Sequence, residues 1–286
     1  MHSSFIYKYQ PLYLKDFEID QELVSLIKAL IEMDTLSVLF VGDSGSGKTS
    51  IIQAIIREYY SGRSSEDDIL YINSLKDQGI AYYRTEVKTF CQTACSVTGR
   101  KKMLILDDLE IINEQSQQVF RNCIDKYSHN VHFVASTSNT QKTIDSLQSR
   151  MTLVRVKALD EDNLRRIMEK ICRAEEITIS IDAKTFLLKI SNSSVRILIN
   201  YLEKLKLLNV PVDLTTAMSV CTNISFQQFI EYINMCKHTN DLKGAVTCMY
   251  DLFDKGYSVM DILDTFFLFL KITDTLTETE KYNIIP

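Results

Sequence analysis

The sequence predicts an α/β domain built on a parallel sheet, followed by two smaller helical domains. Three observations carry that expectation. Short apolar runs alternate with helix-length segments through residues 1–157. A G-x-x-x-x-G-K-[ST] sequence directly follows the first of those runs. From Asp160 onward amphipathic, helix-length segments succeed one another without a strand-like run between them.

The apolar runs are 37–41, 69–72, 103–106 and 131–135, with a weaker fifth at 152–156. Their near-continuous apolar character suits strands covered on both faces, as in a parallel sheet. Between them, 20–32, 48–60, 79–97 and 113–127 are long enough for the crossover helices that parallel strands require. The second part reads as helices 160–173, 182–191, 194–208 and 214–221, with Asp160 and Asp182 placed as N-caps and Pro211 separating the last two. A final group comprises 226–236, 241–257 and 259–276. The expected domains are therefore 1–157, 158–222 and 223–286. There is no internal repeat and no low-complexity linker.

Bulk composition narrows the function classes. The 286 residues are 45% apolar and 24% charged, with net charge −5. A real core can form, and a nucleic-acid binder coated in basic residues is excluded, although one basic face is not. The seven cysteines are scattered and odd in number; Cys91 and Cys95 have helical spacing, but no second ligand pair lies nearby. Residues 1–10 lack the apolar core of a signal peptide, so reduced thiols and an intracellular protein are expected. No apolar run is long enough to span a bilayer, and no membrane partner is expected.

The sharpest chemical signal is Gly42-Asp43-Ser44-Gly45-Ser46-Gly47-Lys48-Thr49, with Ser50 next. Glycines let successive backbone N–H groups turn inward around phosphate. Lys48 is the point charge for the β- and γ-phosphates, Thr49 is the Mg²⁺ ligand, and the helix that follows adds its positive end. ATP with Mg²⁺ is the implied ligand. The strand 103–106 ends in Asp107-Asp108, which reads as the second acidic element of such a site. Asp107 would hold the metal and Asp108 would polarise the attacking water. Asp108 stands where ATPases of this type usually carry Glu, so its carboxylate is one methylene shorter.

Further segments resemble the replication factor C small subunits, within the AAA+ superfamily, from about Lys8 to Ile262. Lys8-Tyr9-Gln10-Pro11 is similar to that family's Lys-Tyr-Arg-Pro signature, which implies that Tyr9 and Pro11 lie against the adenine. Asn73-Ser74, Gly79-Ile80 and Arg84, then Gln117 and Arg121, also resemble family positions. Residues 133–151 resemble the sensor 1 strand and the Ser-Arg-Cys motif, here Ser149-Arg150-Met151. The resemblance implies that Ser138, with Asn139 beside it, is sensor 1. It implies that Arg150 is an arginine finger acting in trans on the adjacent subunit's ATP. Ser194-Val195-Arg196 is similar to the sensor 2 segment, which implies that Arg196 touches the ATP of its own subunit. Lys255-Gly256-Tyr257-Ser258 with Asp261-Ile262 resembles the turn of the family's collar domain. On this basis 1–157 is expected to be the AAA+ P-loop domain, 158–222 a helical lid and 223–286 a helical collar with fewer helices than the resemblance implies.

The implied activity is ATP-dependent loading of a sliding clamp onto primer–template DNA during replication. The implied partners are other clamp-loader subunits in a hetero-oligomer, as a pentamer, together with the clamp and the DNA. Arg84 and Lys88 share a helix face and Arg121 lies on the next candidate helix; these three are the expected phosphate contacts. The location implied is the nucleus for a cellular eukaryotic protein, or the cytoplasm for a viral one. Two alternatives stand beside this reading: a structural subunit that donates Arg150 without hydrolysing, and another AAA+ machine for origin recognition or branch migration.

Overall fold

The computed structural model describes residues 4–63, 66–73, 79–222, 224, 226–239, 241–273 and 275–284. It divides into two compact units. The first comprises Met1–Asn163 with Ser193–Arg196, the second Leu164–Asn192 with Ile197–Pro286.

Unit 1 contains the sheet. In chain order its elements are α1 (Phe5–Lys8), α2 (Gln21–Glu32), β1 (Val38–Val41), α3 (Lys48–Tyr60), β2 (Ile69–Asn73), α4 (Gly79–Gln92), β3 (Lys102–Asp107), α5 (Glu114–Tyr127), β4 (Val131–Thr137), α6 (Asp145–Gln148) and β5 (Thr152–Arg155). The five strands lie in the order β2-β3-β4-β1-β5, and every pair is parallel. The chain leaves the interior strand β1 for the far edge strand β2 and returns through β3 and β4. The loops after β1, β3 and β4 therefore open side by side at the carboxyl end of the sheet, where ligands bind in open α/β sheets.

Strand side chains alternate between two cores. Val38 and Phe40 face a core shared with Val24 and Ile27 of α2 and Ile51, Ile55 and Tyr59 of α3. Leu39 faces the opposite core with Val87 and Cys91 of α4, Phe120 and Cys123 of α5, and Leu147 of α6. Covering both faces is what makes the strands read as unbroken apolar runs. The N-terminal segment is pinned to α3: the Leu14 N–H donates to Glu58 Oε1 (2.7 Å), and Arg57 Nη1 to the Leu12 carbonyl (3.3 Å).

Unit 2 is helical. Its elements are α7 (Glu161–Glu175, which begins in unit 1), α8 (Ile181–Ile190), α9 (Val195–Leu208, whose first residues belong to unit 1), α10 (Leu214–Cys221), α11 (Phe226–Asn234), α12 (Leu242–Asp254), α13 (Val259–Ile272) and α14 (Glu278–Ile284). A wide π-turn, Met235–Thr239, extends α11. Asp160 caps α7 as expected, its Oδ1 accepting from the Asn163 N–H (2.8 Å). At α8 the cap is Ser180, which accepts from the Ala183 N–H (3.3 Å); Asp182 sits inside the first turn, where it complements the helix dipole instead. An aromatic chain runs through the unit: Phe186 of α8 meets Phe226 (5.7 Å between ring centroids), and Phe226 meets Phe269 of α13 (5.4 Å). The Gly256-Tyr257-Ser258 turn is a helix stop followed by a helix start. Gly256 takes φ +93° just beyond α12, and Ser258 and Asp261 form a reciprocal capping box at α13. Among the described residues no helix is long and apolar enough to cross a membrane.

Candidate active site

The loop after β1 folds as its glycines demand. A side chain at Gly42 would place Cβ 2.3 Å from the Val156 carbonyl oxygen. Gly47 has φ +95° and opens α3. Lys48 is buried, and its Nζ donates to the carbonyls of Gly42 (2.8 Å) and Asp43 (2.9 Å), so the charge is curled inside the loop. Ser46 Oγ is buried and has no hydrogen-bond partner among the described residues, a group that a phosphate oxygen would satisfy. Asp43 and Ser44 are exposed at the rim.

The acids after β3 close the site. Thr49 Oγ1 donates to Asp107 Oδ2 (2.9 Å), and Ser136 Oγ donates to Asp107 Oδ1. The Asp108 N–H donates to the same Ser136 oxygen (3.0 Å). Asp108 adopts a left-handed backbone, φ 54° and ψ 55°, a conformation that a short polar side chain tolerates at modest cost. Burial raises its pKa above the ordinary carboxylate range; repulsion from Asp107 and Glu110 adds to this, while Lys48 and Arg196 pull it down. Thr49 and Asp107 offer hard oxygens in contact with each other, the donor type that Mg²⁺ selects. Among the described residues no group of three or more His, Cys, Asp or Glu could hold a metal by itself.

The residues expected around this centre are placed as follows. Gln10 Nε2 donates to Ser50 Oγ (3.4 Å), which sets the 8–11 segment beside the start of α3; Tyr9 packs edge-on to Phe5 (5.6 Å) and Pro11 is half-buried. Arg196 belongs to unit 1: Ser194 Oγ and the Arg196 Cβ lie within 2.6 and 3.8 Å of where a Gly45 Cβ would stand. Ser138 is engaged by Glu110, whose Oε1 accepts from its N–H (3.1 Å) and its hydroxyl (2.5 Å). Burial works to raise the Glu110 pKa, but the hydrogen bonds from Ser138 and Thr137 outweigh it and leave the carboxyl below its usual range. Asn139 instead caps the turn Thr140–Lys142, accepting from the Gln141 N–H (2.9 Å). Buried Gln117 ties the two loops together: its Nε2 donates to the Ile112 and Lys142 carbonyls and its Oε1 accepts from the Ile144 N–H, each at 2.9 Å.

Arg150 lies apart from this centre, bound to Asp125 of α5. Arg84 and Lys88 are exposed on α4 and enter no ion pair among the described residues, whereas Arg121 stands 3.7 Å from Asp125. Ser74 falls outside the described residues. The sequence reading missed Ser136, Glu110 and Asp125. A visible signal existed for Ser136: it is a hydroxyl near the end of a strand in which all seven residues are buried.

Comparison with known proteins points the same way as the site. The model of the ATPase family associated with various cellular activities (AAA) matches residues 38–159. A protein of Acanthamoeba polyphaga mimivirus named as a replication factor C small subunit is 25% identical over 281 residues, covering 98% of this chain and 87% of its own. Replication factor C subunit 3 of Schizosaccharomyces pombe is 27% identical over 262 residues, covering 91% and 76%. Residues 38–159 match the AAA ATPases, and the chain as a whole is similar to replication factor C small subunits. Among solved structures, a RuvB mutant of Thermotoga maritima superposes with a TM-score of 0.58 at 13% identity, covering 82% of this chain and 81% of that one. That likeness concerns the fold alone.

Proposed function

We propose that this chain is an ATP-hydrolysing subunit of a sliding-clamp loader. The observation that carries the reading is the chain Thr49–Asp107–Ser136–Asp108, which joins the phosphate loop to the ends of β3 and β4 in a protein similar to replication factor C small subunits. In this reading the amides of 42–49 and Lys48 hold the triphosphate, Arg196 touches it from the start of α9, and Tyr9 and Pro11 border the base. Thr49 and Asp107 hold Mg²⁺, which neutralises charge developing on the phosphates. Asp108 orients the attacking water, and Arg150 completes the site of the adjacent subunit.

Assembly into a hetero-oligomer, a pentamer in this reading, is supported by unit 2. Leu242, Val246, Tyr250 and Phe253 form an exposed apolar stripe along α12, and Val259, Met260, Leu263 and Phe267 are exposed on α13. A contiguous apolar surface of this kind suits a subunit interface. Residues 158–222 serve as lid and 223–286 as collar. Arg84, Lys88 and Arg121 contact primer–template phosphates, and the sliding clamp docks on the assembled ring. The work is done in the nucleus for a cellular eukaryotic protein, or in the cytoplasm for a viral one.

Co-purification tests the assembly: the tagged chain is expected to retain sister subunits and a sliding clamp, and its isolation as a lone protein would refute the reading. A single-turnover ATPase measurement on the assembled complex tests the chemistry. Asp108→Asn is expected to slow the step well below the wild-type rate; equal rates would remove Asp108 from the mechanism and favour a structural subunit.

A further inference from the structure

The Arg150 guanidinium is held through two of its nitrogens, Nε and Nη1. Its Nε donates to Asp125 Oδ1 (2.5 Å), and its Nη1 donates to the Ser146 carbonyl oxygen (2.6 Å). The second Asp125 oxygen faces Arg121 Nε at 3.7 Å, one turn back on α5, an attraction between charges without a hydrogen bond. Two anchors on different nitrogens set the plane of the whole fork and leave Nη2 without a hydrogen-bond partner among the described residues. Asp125 is about half exposed, and an exposed ion pair adds little to stability. Its contribution therefore lies in geometry.

We propose that Asp125 is a positioning residue for Arg150, fixing the guanidinium plane so that its Nη2 meets the triphosphate of the adjacent subunit. This rests on the reading of Arg150 as a finger in trans. Without the Asp125 contact Arg150 keeps its charge and its backbone site, but its side chain samples several rotamers. A finger acts on charge that develops in the transition state, so misorientation lowers kcat and leaves ground-state nucleotide binding in place.

The test uses the complex reassembled with its sister subunits, comparing wild type, Asp125→Asn, Asp125→Glu, Arg150→Ala and the double variant Asp125→Asn/Arg150→Ala. Asp125→Asn is expected to lower kcat about tenfold, in the range that small misplacements produce, with KM for ATP within about twofold of wild type and the melting temperature unchanged. Asp125→Glu is expected to recover part of the loss. The double variant is expected to be no slower than Arg150→Ala alone, because Asp125 acts only through that arginine. An unchanged kcat in Asp125→Asn, or a double variant slower than Arg150→Ala by the same tenfold factor, would overturn the proposal. An unchanged kcat in Arg150→Ala would instead remove the finger reading itself, and the two failures are told apart by that variant.

Discussion

The two ends of the sheet are built on different rules. At the amino end, before β1, β3 and β4 begin, a polar network closes on itself. His132 Nδ1 accepts from the Leu36 N–H (3.3 Å), so the ring proton sits on Nε2, which lies 3.0 Å from Asp34 Oδ1. Tyr59 donates to the same Asp34 oxygen (2.7 Å) and accepts from the Lys101 N–H (2.9 Å), while Lys101 Nζ pairs with Asp34 Oδ2 (3.1 Å). At the carboxyl end the loops are incompletely satisfied: Ser46 Oγ, Glu110 Oε2, Thr143 Oγ1 and Ser146 Oγ are buried without partners among the described residues. Three acids crowd together there, and Asp108 holds a left-handed backbone. A closed network stabilises; an open one retains the capacity to bind and leaves strain for a ligand to relieve. The contrast predicts that substitutions at the two ends separate stability from activity.

The largest effect belongs to the carboxyl end. Asp107→Asn removes the charge that Thr49 and Ser136 are arranged around. Turnover in the assembled complex is expected to fall by roughly 10²–10³, the usual cost of losing one preorganised electrostatic contact. Thermal melting of the free chain is expected to stay the same or rise slightly, since one of three mutually repelling acids is gone. A melting loss as large as the activity loss would break the comparison.

At the amino end the expectation is reversed. His132→Ala leaves the Leu36 N–H and Asp34 without their shared partner. It is expected to cost about 1–3 kcal/mol in urea-induced unfolding, with the ATPase rate per folded molecule unchanged. An altered rate with intact stability would show that the network reaches the site.

The sequence made the sheet legible and left these networks hidden, and the reason is physical. Strands buried on both faces carry their signal locally, so all five were found within a few residues of their ends. The phosphate loop is equally local, because its chemistry is written in consecutive residues. The Asp107–Ser136, Glu110–Ser138 and Asp125–Arg150 contacts each join segments 25–29 residues apart. Only the packing of β4 against β3, and of α6 against α5, brings them together. Ser180 outcompeted Asp182 for the α8 cap because the cap must sit just outside the first turn, a two-residue distinction that periodicity does not resolve.

Titration sharpens the comparison further. Burial pushes the His132 pKa below its ordinary value of about 6.5, despite the attraction of Asp34. The unfolded chain then binds the extra proton first. This part of the stability is complete above about pH 6.5 and is lost as pH falls towards the folded-state value. Its slope is at most about 1.4 kcal/mol per pH unit for one group. His132→Gln is expected to flatten the stability–pH curve in that window, measured by denaturant unfolding at several pH values. A curve parallel to wild type would assign the slope to other groups.

The smallest expected effect lies again at the carboxyl end. In the proposed mechanism Asp108 must be ionised to orient water, and burial together with Asp107 and Glu110 opposes ionisation. The acid limb of kcat in the assembled complex should therefore lie above the ordinary carboxylate range and reach full rate only once Asp108 has lost its proton. Glu110→Gln removes one repelling charge while its carbonyl oxygen can still accept from Ser138. That change should move the acid limb to lower pH, whereas His132→Gln should leave it in place. A limb that stays put in Glu110→Gln, or that shifts with His132→Gln, would mean that the group titrating in turnover is not the Asp108 carboxyl and that the two ends of the sheet are not electrostatically separate.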